Sequence, residues 1–319
     1  MKTIIVHLGT HKTGTTSIQV HFSYRRPQFA QHGILYPKTG CPAIAEYGHH
    51  LLAWSMYETE ERFPTFDGRA APYSQTEREN LWQELIEEIE GSDCDTVVLS
   101  SEDFDQLTAS EVAGVLEALK DYVVVPVLFI KNTPDLIESA YKTTIVYTSY
   151  TETITEFAAN LYNRLDYSVV MDNWTAGIAS REAHILCYDE PEVRKDVVKA
   201  FMDRAFGDLG PETASRNERM NEGVPTPIVA IARFLRLGGA TEQETKDWID
   251  RISPKFQSAT KSNTTLLGPD LYQLLEQNYR NELTSLLEAG RIPKLPPIPI
   301  YKERILVQSL TDALLNLAQ

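Results

Sequence analysis

The sequence predicts an α/β protein: a three-layer arrangement around a mainly parallel sheet, continued by a helical C-terminal part. Three observations support this. Apolar runs without alternation, TIIVHL and YVVVPVLFIK among them, suit strands covered on both faces. Stretches of helical periodicity separate these runs, and such alternation builds parallel sheets through right-handed connections. After about residue 210 no clear strand follows, and the patterning is helical.

Each element has its own local reason. TIIVHL reads as a buried strand at the start of the chain. A helix follows near Thr15 or Thr16, whose hydroxyls can cap it, with Ile18 and Phe22 on one inward face. Residues 34–75 are irregular; they hold GILYPKTG, the pair His49-His50, and the aromatics Tyr36, Tyr47, Trp54, Tyr57, Phe63, Phe66 and Tyr73. From Ser74 to Glu90 the spacing of Leu81, Leu85 and Ile89 predicts an acidic amphipathic helix that ends at Gly91.

TVVLSSEDF is a second buried strand, and Thr108 with Glu111 forms a capping box that opens the next helix. YVVVPVLFIK is a third strand, with Pro126 marking a bulge. Thr133 and Pro134 suit the N-cap and N1 positions of a helix running to about Tyr147. Helical patterning resumes over 153–165, a strand AHILCYD follows, and a helix covers 191–206. LPPIPI is an extended arm before a final helix.

Bulk properties narrow the function. The chain has 319 residues, 42% hydrophobic and 24% charged, with a net charge of −15. That charge argues against a nucleic-acid partner or an anionic membrane surface, since both need an extended basic face. An anionic ligand must therefore meet a local positive site. Cys41, Cys94 and Cys187 show no metal-ligand spacing and are odd in number, which points to reduced thiols in a cytoplasmic protein. No apolar run approaches the roughly 18 residues of a membrane span. No metal is expected either: His49 and His50 are adjacent and cannot easily face one ion, and no H-E-x-x-H appears.

The segment with the most chemistry is HLGTHKTGTTSIQ, between the first strand and its helix. Backbone N–H groups at such a turn aim at an anion, Gly9 and Gly14 allow close approach, and Lys12 adds a point charge. An ATP-type loop is spelled G-x-x-x-x-G-K-[ST]. Here Gly9 and Gly14 have that separation, but Thr15 takes the lysine position, and the second strand ends in SSE where an Mg²⁺-binding Asp would stand.

These residues resemble the 5′-phosphosulfate-binding loop of sulfotransferases that use 3′-phosphoadenosine-5′-phosphosulfate (PAPS), the bacterial type above all. The resemblance covers about 3–25 and 97–145. It implies a P-loop-NTPase-like core over 1–210, with a substrate-region insertion at about 34–75, and a helical part of the same domain over 211–319. Lys12 would contact the bridging oxygen of the phosphosulfate. Gly9, His11, Thr13, Gly14, Thr15 and Thr16 would line or cradle the 5′-phosphate. KNTPDLIESAY is similar to the family's 3′-phosphate segment, with Lys131 at the first arginine position and Ser139 eight residues on. Lysine keeps the charge there but lacks the bidentate fork of arginine. No Arg-Lys-Gly segment is present, although Arg216 or Arg219 could substitute, and Arg25 or Arg26 could add to the positive field.

Sulfuryl transfer needs an in-line acceptor, stabilised leaving-group charge and a base. Glu102, at the end of the second strand, is the first candidate for the base, with His49 and His50 its rivals. The acceptor would be a hydroxyl or amine on a small molecule, glycan or glycolipid, and the product 3′,5′-phosphoadenosine. Two alternatives remain: a degenerate sulfotransferase fold that binds without turnover, and a P-loop kinase or NTPase.

Overall fold

The computed structural model describes residues 1–43, 46–59, 73–162, 166–178, 182–207, 224–256, 264–298 and 305–306. Phe63, Phe66, Arg216, Arg219 and the expected final helix lie outside the described residues. In chain order come β1 (Thr3–Gly9), α1 (Thr15–Tyr24), α2 (Arg26–Gln31), β2 (Ile34–Leu35), α3 (His50–Ser55) and α4 (Gln75–Glu90). Then follow β3 (Thr96–Ser100), a 3-10 helix (Glu102–Gln106), α5 (Ala109–Ala118), β4 (Val123–Ile130), α6 (Thr133–Tyr147) and α7 (Ile154–Tyr162). The remainder is α8 (Tyr167–Thr175), β5 (His184–Cys187), α9 (Pro191–Lys195), α10 (Val197–Phe206), α11 (Thr226–Leu237), α12 (Glu242–Phe256), β6 (Thr264–Thr265), α13 (Pro269–Glu288) and β7 (Ile305–Leu306).

Two compact units form. One comprises Met1–Lys131, Tyr167–Met220 and Ser285–Pro296; the other comprises Asn132–Asp166, Asn221–Thr284 and Pro297–Gln319.

The first unit carries a five-stranded, wholly parallel sheet in the order β2-β3-β1-β4-β5. The structure is therefore α/β, as the apolar runs indicate. In β1 the side chains alternate between the two faces. Ile5 sits in register with Val98 and Val125, and its face packs on Ile18 and Phe22 of α1, Phe29 of α2 and Phe201 of α10. Phe22 and Phe29 stack at 4.4 Å. Truncating the fully buried Phe22 to Ala would cost about 3–5 kcal/mol. Ile4, Val6 and Leu8 are also buried and point to the opposite face of the sheet.

Several local expectations need correction. Gly14, not a threonine hydroxyl, is the N-cap of α1; it adopts φ 87° with no side-chain cap bond. Asn132 rather than Thr133 caps α6, its side chain accepting from the Asp135 amide. The register irregularity falls at His7–Gly9 of β1, while Pro126 lies in register opposite Val6. Pro126 just precedes the stretch of β4 paired with β5, Val127–Ile130, so its missing N–H falls at the margin of that ladder.

The helix expected over 191–206 is two helices, because Asp196 is extended (φ −151°, ψ 87°) and its carboxylate caps the second through the Lys199 amide. The irregular 34–75 stretch contains β2 and α3, and β6 pairs with β7 in the part expected to lack strands. The anticipated capping box forms at Thr108/Glu111, and a second, not anticipated, forms at Ser74/Glu77.

In the second unit Tyr141, Ile145 and Val146 of α6 pack on Ile228, Val229 and Ala232 of α11. A cavity of about 580 Å³ lies within this unit, lined by Tyr141, Thr153, Val229, Arg233, Leu266 and Asp270 among others. Among the described residues no helix is long and apolar enough to cross a membrane.

Candidate functional site

The Gly9–Thr16 loop lies beyond the carboxyl end of the central strand, between β3 and β4, where open α/β sheets bind ligands. Its shape is fixed from within. Thr10 donates its amide and its hydroxyl to the Phe129 carbonyl, at 3.0 and 2.5 Å. The buried Thr13 hydroxyl donates to the Thr10 carbonyl at 2.6 Å, so it braces the loop. Lys12 has φ 65° and Gly14 φ 87°, two left-handed residues that turn the chain into α1. The amides of Thr15 and Thr16 precede the first intrahelical bond, from Ser17 to the Gly14 carbonyl at 3.0 Å, as first-turn donors do.

Gly9 and Gly14 both serve close packing against protein. An alanine Cβ at Gly9 would lie 2.9 Å from Glu102 Cα, and one at Gly14 would lie 3.0 Å from Val197 Cγ1. The start of the 3-10 helix thus presses on the loop, which brings Glu102 beside Lys12. Burial lowers the pKa of Lys12, and the charge of Glu102 opposes that shift. Gln19 of α1 donates to Glu102 Oε2 at 2.8 Å; its own Oε1 is buried with no partner among the described residues.

Lys131, at the end of β4, donates through Nζ to the Lys12 carbonyl at 3.2 Å and lies 5.3 Å over the Tyr188 ring. Arg26 does not add to this field. It donates to the carbonyls of Ser23, Tyr36 and Pro37 and so ties down the chain after β2. Arg25 turns to His21, at 3.3 Å. Ser139 lies on α6 in the second unit, partly exposed, with its carbonyl accepting from Thr143 at 3.1 Å.

The adjacent histidines face different surroundings. His49 is fully buried; its Nδ1 accepts from the Ser100 amide at 3.0 Å and its Nε2 lies 3.1 Å from the Pro37 carbonyl. Burial above all pushes its pKa down to about 3. Both nitrogens being engaged by backbone, His49 is a structural link. His7 is similar, buried beside Phe129 and Phe201 with Nδ1 2.7 Å from Ser100 Oγ, and burial lowers its pKa to about 3.

His50 instead turns to Asp103, a residue that motif and spacing did not single out. Its Nδ1 lies 3.2 Å from Asp103 Oδ2 and 2.9 Å from Ser101 Oγ. Trp54 stacks on the His50 ring at 5.6 Å and donates its indole N–H to Asp103 Oδ2 at 2.8 Å. From the loop, His11 Nε2 lies 3.6 Å from Asp103 Oδ1, and the Gln106 amide nitrogen bridges them, at 2.8 Å from His11 and 3.2 Å from Asp103.

Burial opposes the charge on both rings, but the hydrogen bond and charge of Asp103, with that of Glu102, prevail. His50 is raised, and His11 is raised to about 9, with Asp105 also contributing there. A protonated His11 requires the Gln106 amide turned over, its oxygen towards the ring. Burial likewise opposes ionisation of Asp103, yet the two histidines hold its carboxyl far below the usual range. Asp105, buried with Oδ1 unpartnered among the described residues, is pushed up to about 8 by burial.

The arrangement places the loop that carries Lys12 beside the Glu102 carboxylate and a network of imidazoles and acids. The donor set of the loop (Lys12, Lys131, first-turn amides and threonine hydroxyls) fits a phosphate-like anion.

No family model and no curated protein matches this chain. Among solved structures, the crystal structure of a sulfotransferase from Alicyclobacillus acidocaldarius is similar, with 15% sequence identity and a TM-score of 0.44 over 68% of this chain and 86% of that one. A likeness at that level bears on neither substrate nor mechanism.

Proposed function

We propose that this chain is a PAPS-dependent sulfotransferase, acting on a hydroxyl or amine of a small-molecule, glycan or glycolipid acceptor. The observation that carries the reading is the Gly9–Thr16 loop, in which Lys12 precedes a left-handed Gly14 that starts α1, with Glu102 packed against it. When bound, the donor supplies an activated sulfuryl group on a phosphate leaving group.

The rest falls to the protein. The amides and hydroxyls of Thr15 and Thr16, with the amides of Thr13 and Gly14, hold the 5′-phosphate, and Lys12 offsets the charge that grows on the bridging oxygen. Glu102 accepts the acceptor's proton as the new bond to sulfur forms, and Gln19 fixes its carboxylate through Oε2. Lys131 serves the 3′-phosphate. The hydrogen bond from Lys131 to the Lys12 carbonyl supports a place for Lys131 beside the donor loop.

A thermal-shift titration tests this with three ligands: 3′,5′-phosphoadenosine, its analogue lacking the 3′-phosphate, and ATP with Mg²⁺. At about a hundred times its dissociation constant a ligand stabilises by ~2.7 kcal/mol. The reading expects the 3′-phosphorylated compound alone to shift the transition. A shift with ATP alone would point to a kinase or NTPase.

A further inference from the structure

Asp103 takes no part in the steps above, yet four side chains from three segments converge on it: His11 of the loop, His50 and Trp54 of α3, and Gln106 of the 3-10 helix. The His50 ring is held on every side that the structure describes. Trp54 stacks on one face, Ser101 and Asp103 meet Nδ1, and an alanine Cβ at Gly48 would lie 2.4 Å from Nε2. A carboxylate only accepts hydrogen bonds, so it fixes a proton on the nitrogen that faces it. His11 reaches the same carboxylate from the loop itself, on its other oxygen. One rigid group therefore connects the loop with α3, a helix of the irregular stretch that begins after β2.

We propose that Asp103 is a positioning residue: through its two oxygens it couples the occupancy of the anion loop, sensed at His11, to the orientation and protonation of His50 on α3. The coupling to a donor rests on the sulfotransferase reading; the hold on the two rings does not. The charged groups around the rings are Asp103 and Glu102 for both, Asp105 for His11, and His11 for His50.

The test is NMR titration of the histidine ring signals, with His11→Gln and His50→Gln for assignment. The wild type and Asp103→Asn are compared with and without 3′,5′-phosphoadenosine. In the wild type both rings are expected to titrate above the ordinary midpoint of about 6.5, and the nucleotide moves both signals. In Asp103→Asn both midpoints fall by more than about one pH unit, and the nucleotide moves His11 but no longer His50. A wild-type His50 that titrates at or below about 6.5 overturns the proposal even if the variant fails to fold. So does an Asp103→Asn protein whose His50 midpoint is unchanged, or whose His50 still responds to the nucleotide as in the wild type. If calorimetry shows that the nucleotide does not bind the wild type, the donor reading fails, and the midpoints alone still decide the role of Asp103.

Discussion

Replacing Gly14 by alanine tests whether the loop is held in the shape described. Gly14 has φ 87° and ψ 19°, a left-handed conformation that costs an L-residue roughly 1–2 kcal/mol. The added Cβ would also meet Val197 at 3.0 Å (Cγ1) and 3.4 Å (Cγ2), at the start of α10. Forcing an extra carbon into such a contact adds about 1 kcal/mol. The sum is a loss of about 2–3 kcal/mol.

Trp54, Trp82 and Trp174 belong to the first unit and Trp248 to the second, so in a Trp248→Phe background indole fluorescence in a urea titration follows the first unit. Val197→Ala separates the two contributions. The double variant should recover the contact share, about 1 kcal/mol, and keep the backbone share. A Gly14→Ala protein as stable as the wild type, or strictly additive variants, would refute a left-handed Gly14 packed on Val197.

Three further outcomes follow from the same geometry. Glu102→Gln should lower sulfuryl transfer to phenol and amine acceptors by about 10²–10⁴-fold, while calorimetry finds the affinity for 3′,5′-phosphoadenosine within a few-fold; unchanged turnover would remove Glu102 as base. Asp105 is raised from 3.8 to about 8 in the folded state, so the unfolded chain loses its proton first and the penalty grows from pH 4 to 8. Asp105→Asn should thus gain at least about 1 kcal/mol more at pH 8 than at pH 5 in denaturant titrations, and an equal effect at both would contradict a buried neutral acid. His7 and His49 have the opposite sign: lowered from 6.5 to about 3, they stay neutral in the fold while the unfolded chain takes up protons. Stability present above pH 6.5 should be lost as pH falls towards 3, and His49→Gln, though less stable overall, should lose less of it.

Local chemistry made much of the fold legible in the sequence. The Thr108/Glu111 capping box formed because it needs only residues three apart, and the buried strands announced themselves through unbroken apolar runs. Caps that compete within one short stretch were harder to choose between. Asn132 precedes Thr133 and bonds the Asp135 amide, and Gly14 takes the cap position by its backbone angle although two threonines stand beside it.

At the site, the concentration of Gly, Lys and Thr marked the loop. Asp103 left no such mark. Its partners lie at positions 11, 50 and 54, far apart in sequence, and its neighbours Glu102 and Asp105 make it look like one acid in a solvated run. The separate fates of His49 and His50 had the same origin, since the register of α3 against β3 decides which ring meets backbone and which meets Asp103.

The most direct test of the central claim is calorimetric titration of 3′,5′-phosphoadenosine into the wild type and Lys12→Ala. The account predicts saturable one-to-one binding by the wild type and a loss of about tenfold or more in the variant, the worth of a charge-assisted hydrogen bond. Absence of binding to the wild type, or equal affinity in both proteins, would contradict a loop built around Lys12 to hold this nucleotide.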